Sequence, residues 1–324
     1  MKFSTIGTSW ITEMFIEAAK HIPGMELESV YSRRQETATA FAEVNGAKKA
    51  YTNLKDMLKD DADLVYIASP NVLHVDHVLA CLEHGKHVFC EKPLAFTKKQ
   101  MEQIIAKATE KQTFVFEGYR HLFSPNYHIL KENLQKVGQV RSVLLQYVQY
   151  SSRYDAFRAG DIPNVFSKEF AGGALMDLGV YPLSMAIDLF GEPKDIAYFP
   201  VFLHNGIDGS GTLTLTYPDF VVTILTSKIA QATIPSEIHG EDGTLTMDHI
   251  APIEKLTLNK KEAKEPEELA VEQKELDMIY EIEKFKDMIE TSDMTLCRKY
   301  LQRSLHVAKW TEKARLANGI VFPD

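Results

Sequence analysis

Short apolar runs alternate with amphipathic stretches over roughly the first 120 residues, and this rhythm constrains the fold more than any other feature of the chain. Candidate strands lie at Lys2–Ile6, Met25–Tyr31, Leu64–Ala68, His87–Cys90 and Thr113–Phe116. Helical patterns at Thr12–His21, Glu36–Val44, Val72–His84 and Lys98–Lys111 separate them. Strands that alternate with helices pair in parallel through right-handed crossovers, which gives an α/β sheet covered on both faces. Gly24, Gly46 and Gly85 follow three of the helices, where a left-handed residue often ends the last turn. Thr97 with Gln100 reads as a capping box opening the fourth. A complete (β/α)8 barrel would need the rhythm to persist to the end of the chain, and it does not.

Beyond Ser124-Pro125 the pattern changes. A helix over Asn126–Lys136 is followed by a long extended run, Val140–Tyr150, and by a helix over Gly173–Phe190 that Pro182 is placed to kink. Strand-like segments near Ala197–Leu203, Gly211–Tyr217, Phe220–Ser227, Ala232–Gly240 and Thr244–Asp248 are joined in part by short turns, the signature of a largely antiparallel sheet. Asn259–Glu275, dense in Lys and Glu, reads as a mobile surface excursion, and two helices near Leu276–Glu290 and Leu296–Ala317 close the chain. The expected organisation is an α/β domain over residues 1–120 and an α+β domain over residues 121–324.

The 324 residues suffice for two domains of ordinary size. A net charge of −9 argues against broad binding of nucleic acid or anionic membrane, although it leaves room for a local basic pocket. No apolar run reads as a membrane span and the N-terminus enters a strand at once. Three cysteines form no disulfide framework, so a cytoplasmic protein is expected. Cys81, His84, His87 and Cys90 recur at intervals of three, but they fall across a helix end and the next strand, a poor arrangement for a tetrahedral zinc site; no metal is expected.

Four strand ends carry chemistry. The first leads into Gly7-Thr8-Ser9-Trp10-Ile11-Thr12, which keeps only the first glycine of a Gly-x-Gly-x-x-Gly dinucleotide turn; Ser9 and Thr12 replace the others, and a hydroxyl there can still cap the helix or donate to a phosphate. The second ends Tyr31-Ser32-Arg33-Arg34, with no acidic residue to hold a ribose 2′-hydroxyl. A guanidinium suits a 2′-phosphate, so NADP is expected over NAD. Ser69-Pro70-Asn71 with His74 follows the third, and reads both as a helix start capped by Asn71 and as a wall beside the nicotinamide ribose. Glu91-Lys92-Pro93 follows the fourth, where Pro93 restricts the backbone and Lys92 presents an ammonium that can hydrogen-bond a substrate hydroxyl or carry its proton. The later Gly172–Tyr181 segment sets Asp177 and Tyr181 four residues apart, on one face if helical. Tyr181 can exchange a proton if an ammonium lowers its pKa, and Asp177 can fix the substrate or orient Tyr181.

Glu91-Lys92-Pro93, the preceding Gly85-Lys86-His87-Val88 and the Gly172–Tyr181 segment resemble the Gfo/Idh/MocA oxidoreductases over essentially the whole chain. The resemblance implies an N-terminal Rossmann domain and a C-terminal domain with an open, mostly antiparallel sheet that often forms a dimer interface. It also implies that Lys92 is the catalytic lysine. Tyr181 stands where many members have His; this form resembles the branch of glucose–fructose oxidoreductase and dimeric dihydrodiol dehydrogenase, which tends to use NADP, with NAD possible. Arg120 and the Tyr150–Asp155 segment lie where family members line the substrate pocket, and the shape of that pocket depends on Arg120, Tyr154, Asp155 and Phe166. The implied activity is hydride transfer between NADP(H) and a sugar, polyol or related hydroxy or carbonyl compound, in a homodimer or higher homo-oligomer. The alternative implied by the same resemblance is a non-catalytic NADP-binding regulator.

Overall fold

The computed structural model of the protein describes residues 1–323. The chain forms two compact units. One comprises residues 1–118 with 274–305, the other residues 119–273 with the remaining C-terminal segment. The segment Lys274–Leu305, read from the sequence as part of the second domain, groups with the first unit.

The first unit is built on six parallel strands, β1 (Lys2–Ile6), β2 (Glu26–Tyr31), β3 (Lys49–Tyr51), β4 (Leu64–Ile67), β5 (His87–Glu91) and β6 (Val115–Gly118), in the order β3-β2-β1-β4-β5-β6. This is the doubly wound order of a Rossmann sheet, with a switch point between β1 and β4. Helices α1 (Trp10–Lys20), α2 (Gln35–Asn45), α3 (Leu54–Met57), α4 (His74–Glu83) and α5 (Lys98–Lys111) connect the strands. β4 is buried along its whole length, as a central strand covered on both faces must be.

Local signals explain the element ends. Gly24, Gly46 and Gly85 all adopt positive φ. Thr97 accepts a hydrogen bond from the Gln100 amide at 3.1 Å while the Gln100 side chain accepts from the Phe96 amide at 3.2 Å, so both ends of the α5 cap are satisfied. The core is aromatic: Phe15 stacks on Tyr66 with centroids 3.7 Å apart, and Phe89 meets both. Phe285, from the returning segment, closes against Phe89 and Phe116. The Tyr66 hydroxyl, otherwise enclosed, donates to the Glu91 carboxylate at 2.8 Å, which ties this core to the end of β5.

The second unit holds α6 (Pro125–Asn133), β7 (Val140–Val148), α7 (Tyr154–Arg158), α8 (Val180–Phe190) and strands β8 (Asp195–Phe202), β9 (Asp208–Thr216), β10 (Val221–Ser227), β11 (Ser236–Gly240), β12 (Gly243–Met247), β13 (Leu256–Lys260) and β14 (Glu267–Glu268). Eight strands order as β14-β13-β12-β11-β7-β10-β9-β8; β7 and β10 pair in parallel and every other pair is antiparallel. Helices α9 (Met278–Glu290) and α10 (Met294–Leu316) follow. The stretch near residue 270 is exposed but tethered: the buried Asn126 side chain accepts from the Val271 amide at 2.8 Å and donates to its carbonyl at 3.0 Å. The segment Lys168–Phe190 is long and apolar enough in composition to cross a membrane, yet 78% of its apolar window is buried within the fold.

The entrance to α8 departs from a simple helix. Leu175–Gly179 forms a π-type turn, and only from Val180 does the chain settle into α-helix; Pro182 follows this widened turn. Asp208, on β9, secures this entrance. Its carboxylate accepts from the Leu175 amide at 2.8 Å and from the Tyr198 hydroxyl at 2.7 Å. Gly173, at φ 105°, lies so close that any Cβ would overlap the carboxylate. Burial pushes the Asp208 pKa up to about 6, with the two hydrogen bonds acting the other way.

A carboxyl whose folded pKa exceeds its unfolded one retains a proton that the unfolded chain releases. Its contribution is complete below about pH 4 and is lost as pH rises through about 6. Asp208→Asn should therefore gain on the wild type by about 1–3 kcal/mol in urea unfolding as pH is raised from 4 to 7. Parallel stability curves over that range would show that Asp208 does not titrate there.

Candidate active site

In the first unit every candidate residue except the exposed Trp10 side chain clusters at the carboxyl edge of the parallel sheet. Gly7, after β1, has φ 117°, and a Cβ there would come within 2.6 Å of the Ala68 carbonyl oxygen. Only glycine allows the ends of β1 and β4 to approach so closely. Ser9 is the N-cap of α1, yet its side chain bonds no helix amide; Thr12 is wholly buried with its hydroxyl unpartnered.

Gly7, Thr8, Ser9, Ser32, Arg33, Ser69 and Pro70 line one cavity of about 260 Å³, together with Tyr31, Leu73 and His77. Among the described residues Arg33 makes no ion pair and no hydrogen bond, so a guanidinium stands uncommitted at the rim of the cavity. These features fit a dinucleotide phosphate. The glycine leaves the β1 turn open, and the Ser9 hydroxyl with the first amides of α1 supplies donors at a helix N-terminus. Arg33 and Ser32 offer donors for a 2′-phosphate.

His77 was missed by sequence reasoning. Its Nδ1 lies 2.9 Å from Ser69 Oγ, its ring packs edge-on near Tyr31, and burial, with the nearby charges of His74 and Arg33, lowers its pKa to about 4. The one available signal was its position three residues after His74 in a helix that starts beside the cavity.

The turn after β4 differs from expectation. Asn71 opens a short 3-10 turn and does not cap α4, whose N-cap is Leu73. His74 is the anchor instead. It is 1% exposed, with Nε2 2.7 Å from the Ser69 carbonyl oxygen and Nδ1 2.8 Å from that of Pro93. One imidazole thus joins the β4 turn to the residue following Lys92. Burial is the largest influence on its pKa and lowers it, against the two carbonyls. The Lys92–Pro93 peptide is cis, and the next amide, Leu94, donates to the buried Glu117 carboxylate at 2.8 Å. Lys92 therefore issues from backbone held on both sides. Ile11 is half-buried in the first turn of α1 and Glu91 is the last residue of β5.

In the second unit Tyr181 is buried to 9% exposure between His121 and Tyr147, with ring centroids 5.0 and 5.3 Å away. Its carbonyl accepts from His121 Nε2 at 3.0 Å and Ser184 Oγ at 2.8 Å. Asp177 lies within the widened turn before it and pairs with Lys228, which sequence reasoning did not single out. The widened turn means that Asp177 and Tyr181 are not spaced by regular α-helical geometry, as their separation of four predicted. Phe166 is fully buried and packs against Tyr154 and Phe157. Arg120 begins a 3-10 turn after the first unit's last strand. Asp155 is exposed, accepts from the Tyr150 hydroxyl at 2.7 Å and pairs with Arg158, so it is held as part of a surface cluster. Among the described residues no group of His, Cys, Asp and Glu could hold a metal ion.

Residues 1–119 match the model of an oxidoreductase family with an NAD-binding Rossmann fold, and residues 133–246 match the GFO/IDH/MocA C-terminal domain. The chain is 41% identical to the scyllo-inositol 2-dehydrogenase (NADP(+)) IolU of Bacillus subtilis, across 100% of this chain and 98% of that protein. It belongs to the Gfo/Idh/MocA oxidoreductase family. Another relative, a trans-1,2-dihydrobenzene-1,2-diol dehydrogenase of Xenopus tropicalis, is 30% identical over 73% of this chain and 71% of its own. Among solved structures, the 3-ketoreductase KijD10 of Actinomadura kijaniata, in complex with NADP and TDP-benzene, superposes with a TM-score of 0.82 at 24% identity, covering 98% and 97% of the two chains. That likeness establishes the shared two-part Gfo/Idh/MocA fold.

His74 should matter to this fold beyond packing. His74→Ala removes the single N–H of a buried imidazole set between two carbonyls and leaves its partner carbonyl without a donor, which costs about 1–3 kcal/mol in urea unfolding. A loss below about 1 kcal/mol would show that the imidazole does not anchor the two turns.

Proposed function

We propose that this chain is an NADP(H)-dependent oxidoreductase that interconverts a secondary alcohol and a ketone on a sugar, polyol or related hydroxy or carbonyl compound. The observation that carries this reading is the full-length likeness to an NADP(+)-dependent inositol dehydrogenase. The uncommitted Arg33 at the cavity behind Gly7 supports the choice of NADP. Bound NADP supplies the hydride acceptor, and NADPH the donor.

The remaining chemistry falls to side chains of the chain. Lys92 hydrogen-bonds the reacting oxygen and stabilises the negative charge that gathers there as the proton leaves. Tyr181 exchanges that proton; a phenol titrates near pH ~10 in water, and an ammonium on the same substrate oxygen draws it down. Asp177 accepts a hydrogen bond from a neighbouring hydroxyl and so orients the carbon that gives or takes hydride. Arg120 and Tyr154 line the substrate side. Ser32 and Arg33 bind the 2′-phosphate, and Gly7, Thr8, Ser9, Ser69 and Pro70 contact the rest of the dinucleotide.

The three buried, unpaired cysteines accord with work in the reducing cytoplasm. Phe199, Val201 and Val221 are exposed on one face of the eight-stranded sheet, and a second copy of the chain would cover that face in a homodimer. A monomer mass in sedimentation at micromolar concentration would remove the dimer from this proposal.

Lys92→Ala and Tyr181→Phe should each lower kcat by about 100-fold or more, with NADPH affinity held within a few-fold of wild type. Unimpaired turnover in either variant removes that residue from the chemistry. In parallel, Arg33→Ala should weaken NADPH binding about tenfold or more and leave NADH binding unchanged, as the loss of one charge-assisted phosphate contact requires. Equal losses for the two cofactors would place Arg33 away from the 2′-phosphate.

A further inference from the structure

Lys228 follows β10 directly, and its backbone is fixed on both sides. Its amide donates to the Gly209 carbonyl at 2.8 Å and its carbonyl accepts from the Ser151 amide at 2.9 Å. The side chain is 4% exposed, runs inward past the buried Phe166, 5.5 Å from the ring centroid, and ends in an ion pair with Asp177. An ammonium removed from water costs several kcal/mol unless an opposite charge compensates it. Asp177 is that charge, and its own side chain keeps 28% of its exposure. The pair is therefore layered, with the ammonium sealed beneath and the carboxylate nearer solvent.

The same strand end holds the turn that carries Asp177. Thr226, two residues before Lys228, donates through Oγ1 to the Ala174 carbonyl at 3.1 Å, and a Cβ at Gly179 would meet the Thr226 side chain at 3.4 Å. The carboxylate is thus placed twice, by the backbone of its own π-type turn and by the charge beneath it. Without the ammonium, a partly buried carboxyl gains by taking up a proton, and it then loses an acceptor.

We propose that Lys228 is a positioning residue that keeps Asp177 ionised and oriented as a pure hydrogen-bond acceptor, so that the site selects an uncharged substrate bearing a hydroxyl next to the reacting carbon. The inference rests on the polyol reading above and deepens it. Lys228 supplies no proton to the reaction; proton exchange remains with Tyr181. The carboxylate and ammonium together are neutral, so a sugar acid or sugar phosphate gains no long-range attraction from them, whereas a neutral hydroxyl finds an acceptor already ionised and aimed.

The test compares Lys228→Met and Lys228→Arg with wild type, using scyllo-inositol and myo-inositol as the probe polyols. Lys228→Met should lose about tenfold or more in kcat/KM at pH 7, chiefly through KM. The acid limb of its pH profile should move up by about one unit or more, and NADPH affinity should hold within a few-fold. Lys228→Arg, which keeps the charge, should recover most of the loss. Because the effect passes through Asp177, adding Asp177→Asn to Lys228→Met should cost far less than it does in wild type. An unshifted pH profile, or additive losses, overturns the proposal.

If wild-type protein turns over neither polyol, the substrate reading fails separately. The Asp177 carboxyl can then be titrated by carbon NMR, assigned with Asp177→Asn. An upward displacement in Lys228→Met supports the pairing, and an unmoved titration refutes it. Should Lys228→Met fail to fold, Asp177→Asn gives the mirror test. Its buried ammonium, left alone, should make stability rise relative to wild type as pH is raised from 7 to 10, and a constant difference counts against the proposal.

Discussion

Parallel pairing is the constraint on which the first unit depends. Six strands that all run the same way must all end on one edge, and right-handed crossovers return the chain so that each turn at that edge starts a new connection. The Gly7, Ser32–Arg33, Ser69–His74 and Glu91–Lys92 turns share that edge because the sheet allows them no other place. The strand order reverses between β1 and β4, and there the backbones approach until Gly7 leaves no space for a Cβ against Ala68. A crevice at the switch point follows from topology, and the side chains around it decide what it can hold.

Within this frame, buried polar groups do the fine placement. Tyr66 links the aromatic core to Glu91, and His74 links the β4 turn to Pro93 beside Lys92. Asp208 secures the start of the turn before α8, and Lys228 lies under Asp177. None of these side chains is exposed enough for water to replace its partner cheaply, so each bond is costly to break and holds its neighbour in one position. The pairing also divides the labour of the proposed chemistry. A carboxylate backed by an ammonium is suited to accept hydrogen bonds, which leaves the exchange of a proton to a phenol.

Much of this was legible in the residues. Strands β1, β2, β4, β5 and β6, helices α1, α2, α4 and α5, the Thr97–Gln100 cap and the left-handed glycines at 24, 46 and 85 are local, and local chemistry suffices to read them; the short β3 and α3 escaped that reading. The positions of Lys92 after β5 and of Arg33 at the cavity could be read because a strand end followed by Pro, or by two guanidinium groups, is a signal carried within a few residues. Reading failed where the cause lay far along the chain. Asn71 is a sound cap by composition, but a 3-10 turn places α4 three residues later. The spacing of Asp177 and Tyr181 predicts a regular helix, yet the first of them lies in a widened turn secured by Asp208 and Thr226 on neighbouring strands. The apparent surface excursion after β13 is tethered by Asn126, 145 residues away in sequence.

By itself, then, the sequence determined the parallel α/β unit, the antiparallel sheet after it, the residue types at the strand ends and the family they resemble, because periodicity and turn chemistry act between neighbours. Tertiary structure alone decided that Lys274–Leu305 returns to the first unit, that His77 joins the cavity behind Gly7, and that Lys228 lies beneath Asp177. These depend on which strand ends meet, and a buried charge finds its partner, here 51 positions away in sequence, only when the chain between them has folded.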